Sequence, residues 1–184
     1  MNNERCQVQI DFVGQACHGY PLINIDINGT TLFHNEIVDS MSVKLDCVLQ
    51  DNNRVTISLL NKQNGPDVYD TVIDEQGNIL QDKNCKIVDI YLNKAKVSFL
   101  LHNLVYNYAD GQREFIYGYM SQNGSYTIDF PKNVFDWIIE SRKRLIPERT
   151  TQSSLSYDSL AYMENDQQKT AQLIADCKKI LEQF

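Results

Sequence analysis

The sequence predicts a mostly β protein, an antiparallel jelly-roll β-sandwich with a short packing helix and a C-terminal helical arm. Apolar residues alternate with polar ones in many short segments, which is the pattern of strands with one buried face. Turn signals such as Asn28-Gly29, Asp110-Gly111 and Asn123-Gly124 separate these segments. Short alternating segments divided by regular turn signals are typical of a sandwich. The alternation ends at Pro131, where a helical spacing begins.

The first half of the chain consists of alternating segments. Alternation predicts core strands over residues 6–12, 23–27, 41–49, 55–59 and 88–92. Asn28-Gly29 is a strong two-residue hairpin signal, because both positions tolerate positive φ. A register through that turn sets Ile25 opposite Leu32. A smaller hairpin is predicted around Gly77.

The second half predicts longer strands and then a helix. Residues 97–108 are apolar on both faces of a predicted strand, and strands at 115–120 and 126–130 follow. Proline suits a first helical turn, so the helix is expected to begin at Pro131. Its Trp137 face is expected to pack on the sandwich.

Three parts of the chain are predicted from these patterns. Residues 1–145 form the sandwich with its terminal helix, 146–156 are a linker rich in Thr, Ser and Gln, and 157–184 form a C-terminal helix. Apolar residues of that helix recur at alternating steps of three and four, as in a coiled-coil seam. The apolar residues of the seam are Leu160, Met163, Ile174, Cys177, Leu181 and Phe184, and polar Gln167 and Thr170 fill its two other positions. The helix is therefore a tether or an oligomerisation arm, or it folds back to cover the sandwich.

Composition restricts the partners. A formal net charge of -7 disfavours nucleic acid and anionic membranes, which require clustered Lys and Arg. No apolar run approaches the about 20 residues of a membrane span, and the start lacks the layout of a signal peptide. We expect a protein that is not secreted by a signal peptide and is assembled in a cytoplasm. The five cysteines are widely spread, which predicts free, buried thiols.

No catalytic motif is present, and we expect a protein that is not an enzyme. Cys17-His18 is the pair that comes nearest to a nucleophile with its base. Neighbouring side chains in an extended segment point to opposite sides, so this pair would require a special turn.

The stretch between the strands at 55–59 and 88–92 gathers carboxylates. Calcium takes six to eight hard oxygen ligands, and a loop with carboxylate and amide groups can supply them. A solvated acidic loop is the alternative. The candidate ligands are Asn61, Asp67, Asp70 and Asp82.

Tyrosines form a second candidate site. Tyr106 and Tyr108 share a face of one predicted strand, and Tyr117 and Tyr119 share a face of the next. Sugars stack on aromatic rings while polar groups bind their hydroxyls, a role open to neighbours such as Asp110 and Arg113. The alternatives are cross-strand pairing that only stabilises the sheet, and a protein interface.

Short motifs carry a family resemblance. Asn61, the acidic loop and the run from Asp82 to Asn93 resemble the calcium-dependent xylan-binding modules, which are small jelly rolls. The run from Asp70 to Lys83 and the ending Tyr126 to Pro131 are similar to copies of that fold in virion structural proteins of tailed phages. The resemblance implies a jelly roll and a calcium site at Asn61 and Asp82. Lys62 stands where the xylan binders commonly have Asp, and Lys83 replaces their Arg. A cation inside the calcium cage weakens calcium affinity.

Two hypotheses follow. The first is a non-enzymatic structural or accessory protein of a bacteriophage virion, assembled in the host cytoplasm and anchored through its C-terminal helix to other virion proteins or to itself. The second is a lectin-like module that binds a cell-surface glycan through calcium or through the tyrosine surface.

Overall fold

The computed structural model describes residues 4–63 and 69–145, and it confirms a mostly β, antiparallel architecture. The strands are β1 (Arg5–Gln15), β2 (Leu22–Ile27), β3 (Thr30–Glu36), β4 (Ser40–Val48), β5 (Asn52–Leu59), β6 (Thr71–Ile73), β7 (Ile79–Asp82), β8 (Asn84–Leu92), β9 (Ala95–Lys96), β10 (Tyr106–Tyr108), β11 (Arg113–Glu114), β12 (Tyr119–Met120) and β13 (Gly124–Pro131). A 3-10 helix spans Ser98–His102 and helix α1 spans Val134–Leu145.

Two sheets form the sandwich. The first sheet has the order β12-β8-β1-β4, with β9 paired to β8, and the second has the order β11-β10-β13-β5-β2-β3. Strands β6 and β7 form a separate hairpin. The inward residues of both sheets belong to one hydrophobic core, to which Ile10 and Ile90 contribute from the first sheet and Ile25, Ile57 and Tyr126 from the second.

The predicted hairpin at Asn28-Gly29 is present, with φ of 53° and 80° at its two central residues. Its predicted register is wrong by one residue, because Ile25 faces Phe33 instead of Leu32. A bulge between Ile25 and Asp26 inserts the extra residue. Leu32 is consequently exposed.

Strand β8 also departs from simple alternation. Asp11 of β1 pairs with Asp89, but the next residue, Phe12, pairs with Ile87, so Val88 is the extra residue of a bulge. Ile87 therefore points into the core together with Ile90, whereas Val88 is 44% exposed.

The predicted long strand at 97–108 is wrong. The Val97 N–H donates to the Ile90 carbonyl at 2.8 Å, and the Ser98 hydroxyl donates to Asp89 Oδ1 at 2.8 Å. These bonds hold the chain beside β8 while it turns into the 3-10 helix. Only Tyr106–Tyr108 remains as a strand in this stretch.

Helix α1 begins at Val134, three residues after Pro131, which instead ends β13 opposite Asn52. The Asn133 side chain accepts a long hydrogen bond of 3.4 Å from the Asp136 N–H, so it occupies the N-cap position. Val134 and Ile138 are buried in the core. The predicted packing helix is therefore confirmed.

The predicted state of the cysteines can be compared with the structure, whereas the predictions for residues 146–184 cannot. Cys6, Cys17, Cys47 and Cys85 are free and buried, as predicted. The linker, the C-terminal helix and its six seam residues lie outside the described residues and stay predictions. Within residues 4–63 and 69–145, no helix is long and apolar enough to cross a membrane.

Candidate functional site

Two buried lysine–aspartate ion pairs close the acidic loop. The Lys62 ammonium donates to the Asp82 carboxylate, and the Lys83 ammonium lies 2.9 Å from Asp70 Oδ1. The side chains of Lys62, Asp82, Lys83 and Asp70 are 3%, 11%, 6% and 1% exposed. We call these four residues the lysine–aspartate cluster.

Further hydrogen bonds reach the oxygens of the cluster. The Thr71 hydroxyl donates to Asp82 Oδ1 at 2.5 Å, and the Gln63 N–H donates to Asp70 Oδ2 at 2.7 Å. Lys62 Nζ also donates to the Lys83 carbonyl at 2.9 Å. Among the described residues, Asp70 Oδ1 has the ammonium group of Lys83 as its ion-pair partner at 2.9 Å and accepts no hydrogen bond.

Of the predicted calcium ligands, Asn61, Asp70 and Asp82 are described, and backbone or lysine groups occupy their polar side chains. Asn61 Oδ1 accepts from the Leu22 N–H at 2.8 Å and its Nδ2 donates to the Tyr20 carbonyl at 2.9 Å, so both polar atoms bind backbone. Asp67 lies outside the described residues. Asp70 and Asp82 are brought to one cluster, but each faces an ammonium. Where side chains are described, no three His, Cys, Asp or Glu residues gather in a way that holds a metal ion. Among the described residues, the candidate ligands therefore do not fit calcium.

The predicted tyrosine surface is not formed as expected. Tyr106 is fully buried, so it cannot contact a ligand in this conformation. Tyr108 packs edge-on against it, with ring centroids 5.0 Å apart, and donates its hydroxyl to Glu114 at 2.7 Å. Burial and the carboxylate of Glu114 raise the pKa of Tyr108 to about 12. This pair stabilises the second sheet.

The polar residues predicted beside these tyrosines have local partners. Asp110 Oδ1 accepts from the Gln112 N–H at 3.0 Å, which stabilises the turn between β10 and β11. Arg113 Nε donates to Asn107 Oδ1 at 2.9 Å on an exposed face. Asp110 and Arg113 therefore both belong to the β10–β11 hairpin, on which the Tyr106 side chain is buried.

The predicted strand at 115–120 is wrong, because the chain changes sheets there. Strand β11 pairs with β10 in the second sheet, whereas Tyr119 pairs with Lys86 of β8 in the first. Between them the Tyr119 N–H donates to the Ile116 carbonyl at 2.9 Å and closes a tight turn. We call residues 115–119 the aromatic turn.

The backbone of the aromatic turn has positive φ at both central residues, 49° at Tyr117 and 81° at Gly118. A Cβ on Gly118 would lie 2.8 Å from the Ile87 carbonyl oxygen, so only glycine fits without a shift. Positive φ is uncommon for a bulky residue such as tyrosine, and such outliers cluster at functional sites.

Three aromatic side chains of the turn are exposed. Phe115 and Tyr117 are each 58% exposed and Tyr119 is 37% exposed. The His102 ring meets the Tyr117 ring edge-on, with centroids 5.5 Å apart. Exposed aromatic side chains close together in the sequence often mark a binding surface.

The buried hydroxyl of Tyr126 fixes the aromatic turn to the core. The hydroxyl of Tyr126 accepts from the Gly118 N–H at 3.0 Å and donates to the Tyr119 carbonyl at 3.2 Å. Burial raises the pKa of Tyr126, so its hydroxyl stays protonated and can make both bonds. The turn is therefore fixed to the core by a residue of β13.

Tyr119 connects the two regions. Burial and then the nearby carboxylate charge of Asp82 raise the pKa of Tyr119. One residue of the predicted tyrosine surface therefore lies beside one residue of the predicted metal site. The sequence patterns placed these residues in separate sites, and they gave no indication that Tyr126 and Gly118 anchor the turn. Lys62 and Lys83 were visible in the sequence as departures from the xylan-binding pattern.

The Cys17-His18 pair does have an unusual turn, with φ of 52° at His18. The Cys17 sulfur lies 3.8 Å from His18 Nδ1, but that nitrogen is also 2.8 Å from the Tyr69 carbonyl. A carbonyl only accepts, so Nδ1 carries the proton and cannot take one from the thiol. This geometry does not make a nucleophile with its base.

Comparisons with protein-family models and with curated sequences each gave no match. Two similar solved structures are both of vCBM60, a calcium-dependent carbohydrate-binding module. The selenomethionine form is 12% identical with a TM-score of 0.42, over 66% of this chain and 88% of that one. The complex with galactobiose is 13% identical with the same TM-score, over 66% of this chain and 95% of that one. At this identity and TM-score, the similarity carries no conclusion about function.

Proposed function

We propose that this chain is a non-catalytic recognition module that binds a carbohydrate at the aromatic turn. The observation that carries the proposal is the exposure of Phe115, Tyr117 and Tyr119 on a backbone that Tyr126 fixes to the core. Sugars bind proteins by laying their apolar ring faces on aromatic side chains. A turn that is already ordered avoids part of the entropic cost of binding.

Polar side chains suited to sugar hydroxyls lie beside the aromatic rings. Lys86 is exposed and stands directly opposite Tyr119 on the neighbouring strand, so the two side chains share a face of the sheet. His102 contacts Tyr117. Ammonium and imidazole groups can hydrogen-bond hydroxyls, which provides selectivity beside the stacking.

Calcium is not part of this proposal, because the Asp70 and Asp82 carboxylates already pair with lysines. The sequence-based prediction of a phage virion protein, anchored through residues 157–184, concerns residues outside the described ranges and stays a prediction. A virion setting would suit a module that binds a cell-surface glycan. We also propose that the chain has no enzyme activity.

A glycan array tests the proposal. We expect the full chain to bind at least one class of oligosaccharide, and Tyr117→Ala and Phe115→Ala to weaken that binding on the order of tenfold or more. Phe135→Ala is the matched control, because it removes an exposed aromatic ring from α1. The thermal unfolding midpoint (Tm) of each variant shows that it is folded.

Three outcomes would contradict the proposal. The array could show no binding, the turn variants could bind as well as the Phe135 control, or a protein ligand could bind the aromatic turn while glycans do not. The last outcome would favour a protein interface at the same residues.

A further inference from the structure

We propose that Lys62 and Lys83 supply within the chain the positive charge that a divalent cation would supply, so that closure of the acidic loop does not require calcium. This inference goes beyond carbohydrate binding. Its test needs no glycan, so either proposal can fail without the other.

The charges of the cluster balance internally. Lys62 and Lys83 carry two positive charges, and Asp70 and Asp82 carry two negative charges. A buried carboxylate is strongly destabilising unless a cation pairs with it. The two ammonium groups meet that requirement, and a calcium ion would add two further positive charges to a neutral buried cluster.

The lysines also contact the kinds of oxygen that calcium prefers. Lys62 Nζ binds a carboxylate oxygen of Asp82 and the carbonyl of Lys83, at 2.9 Å for the carbonyl. Lys83 Nζ forms an ion pair with Asp70 Oδ1 at 2.9 Å and donates a long hydrogen bond of 3.5 Å to the Asn61 carbonyl. Carboxylates and backbone carbonyls are typical calcium ligands. Here ammonium groups occupy them.

The two ion pairs connect the start of the loop to its end. Lys62 follows β5 and reaches Asp82 at the end of β7, whereas Lys83 precedes β8 and reaches back to Asp70 before β6. Backbone bonds reinforce both connections, from the Asp70 N–H to the Gln63 carbonyl at 3.1 Å and from the Lys83 N–H to the Asp70 carbonyl at 2.7 Å. The two ion pairs therefore link residues that are far apart in the loop sequence, as a bridging cation would.

Thermal unfolding of the full chain tests the inference, first in a chelator and then with excess calcium. We expect the same Tm in both conditions, because a ligand that binds only the native state would raise it. A rise with calcium would overturn the inference, since calcium would then displace the ammonium groups.

Single variants test the role of each lysine. Lys62→Gln and Lys83→Gln each leave a buried carboxylate without its cation, so we expect Tm to fall by roughly 10 °C. The matched control is Lys44→Gln, which removes an exposed lysine from β4 and should leave Tm unchanged. Tm values equal to that of the control would overturn the inference.

The double variant provides the sharpest contrast. Lys62→Gln/Lys83→Gln retains both carboxylates and adds two amide oxygens, so we expect calcium to raise its Tm while the wild type does not respond. If the double variant is folded and calcium leaves its Tm unchanged, the lysines do not replace a cation. If it does not fold in chelator, recovery of a cooperative unfolding transition with calcium gives the same answer, and failure to recover overturns the inference.

Discussion

Removal of the Tyr126 hydroxyl is the most informative perturbation of the aromatic turn. In Tyr126→Phe, the Gly118 N–H loses its acceptor at 3.0 Å and the Tyr119 carbonyl loses its donor at 3.2 Å. A buried donor left without a partner costs about 1–3 kcal/mol, and a lost hydrogen bond about 1 kcal/mol. The expected loss is therefore about 2–4 kcal/mol of unfolding free energy.

Urea unfolding and thermal melting measure this loss. For a chain of this size, each kcal/mol moves Tm by about 2–4 °C, so we expect a fall of roughly 5–15 °C. Glycan affinity should fall as well, because the turn is no longer held in its binding conformation. The control is Tyr91→Phe, whose hydroxyl bond to Asp89 is long, at 3.3 Å, and partly exposed. Its expected effect is within about 0.5 kcal/mol.

A Tyr126→Phe variant as stable as Tyr91→Phe would refute the reasoning. It would mean that water or a shifted backbone satisfies Gly118 and Tyr119 at no cost. Lower stability with unchanged glycan affinity would refute the narrower claim that Tyr126 prepares the turn for binding.

Three further predictions concern other parts of the chain. Gly118→Ala should lose about 1–3 kcal/mol, measured by urea unfolding, because its φ is 81° and the new Cβ would meet the Ile87 carbonyl; wild-type stability would contradict this. Bonds from Lys96 and then Ser98 lower the pKa of Asp89 below its ordinary 3.8, so its contribution is present above that value and disappears as pH falls through the lowered pKa. The Tm difference between wild type and Asp89→Asn should therefore shrink in acid, and a constant difference would contradict the assignment. Light scattering on the full chain and on a chain ending at residue 145 tests the predicted arm, because only the full chain should be oligomeric.

Much of the fold followed from alternation because most strands bury one face in a single core. The exceptions have local causes. Alternation over 88–92 predicts that Val88 faces the core together with Ile90, but Ile87 is also apolar. Sequence alone does not show which of these two adjacent apolar residues a bulge turns outward. At 97–108 the hydrogen bonds of Val97 and Ser98 to β8 prevail over an apolar pattern that fits a strand.

The candidate site was less predictable than the fold. The sequence identified Asp70, Asp82 and Tyr119 as chemically interesting, but it did not show that Tyr119 changes sheets and comes to lie beside Asp82. The gathered carboxylates predicted calcium, with a solvated acidic loop as the alternative. They did not show that two lysine side chains would reach into the loop and pair with Asp70 and Asp82.

The most direct test of the account is titration of the best-binding oligosaccharide into the full chain, in chelator and then in calcium. The account predicts the same Kd in both, because the aromatic turn binds the sugar and Lys62 and Lys83 hold the loop. Binding that appears only with calcium would contradict it, and would place a metal among residues that the structure shows paired with lysines.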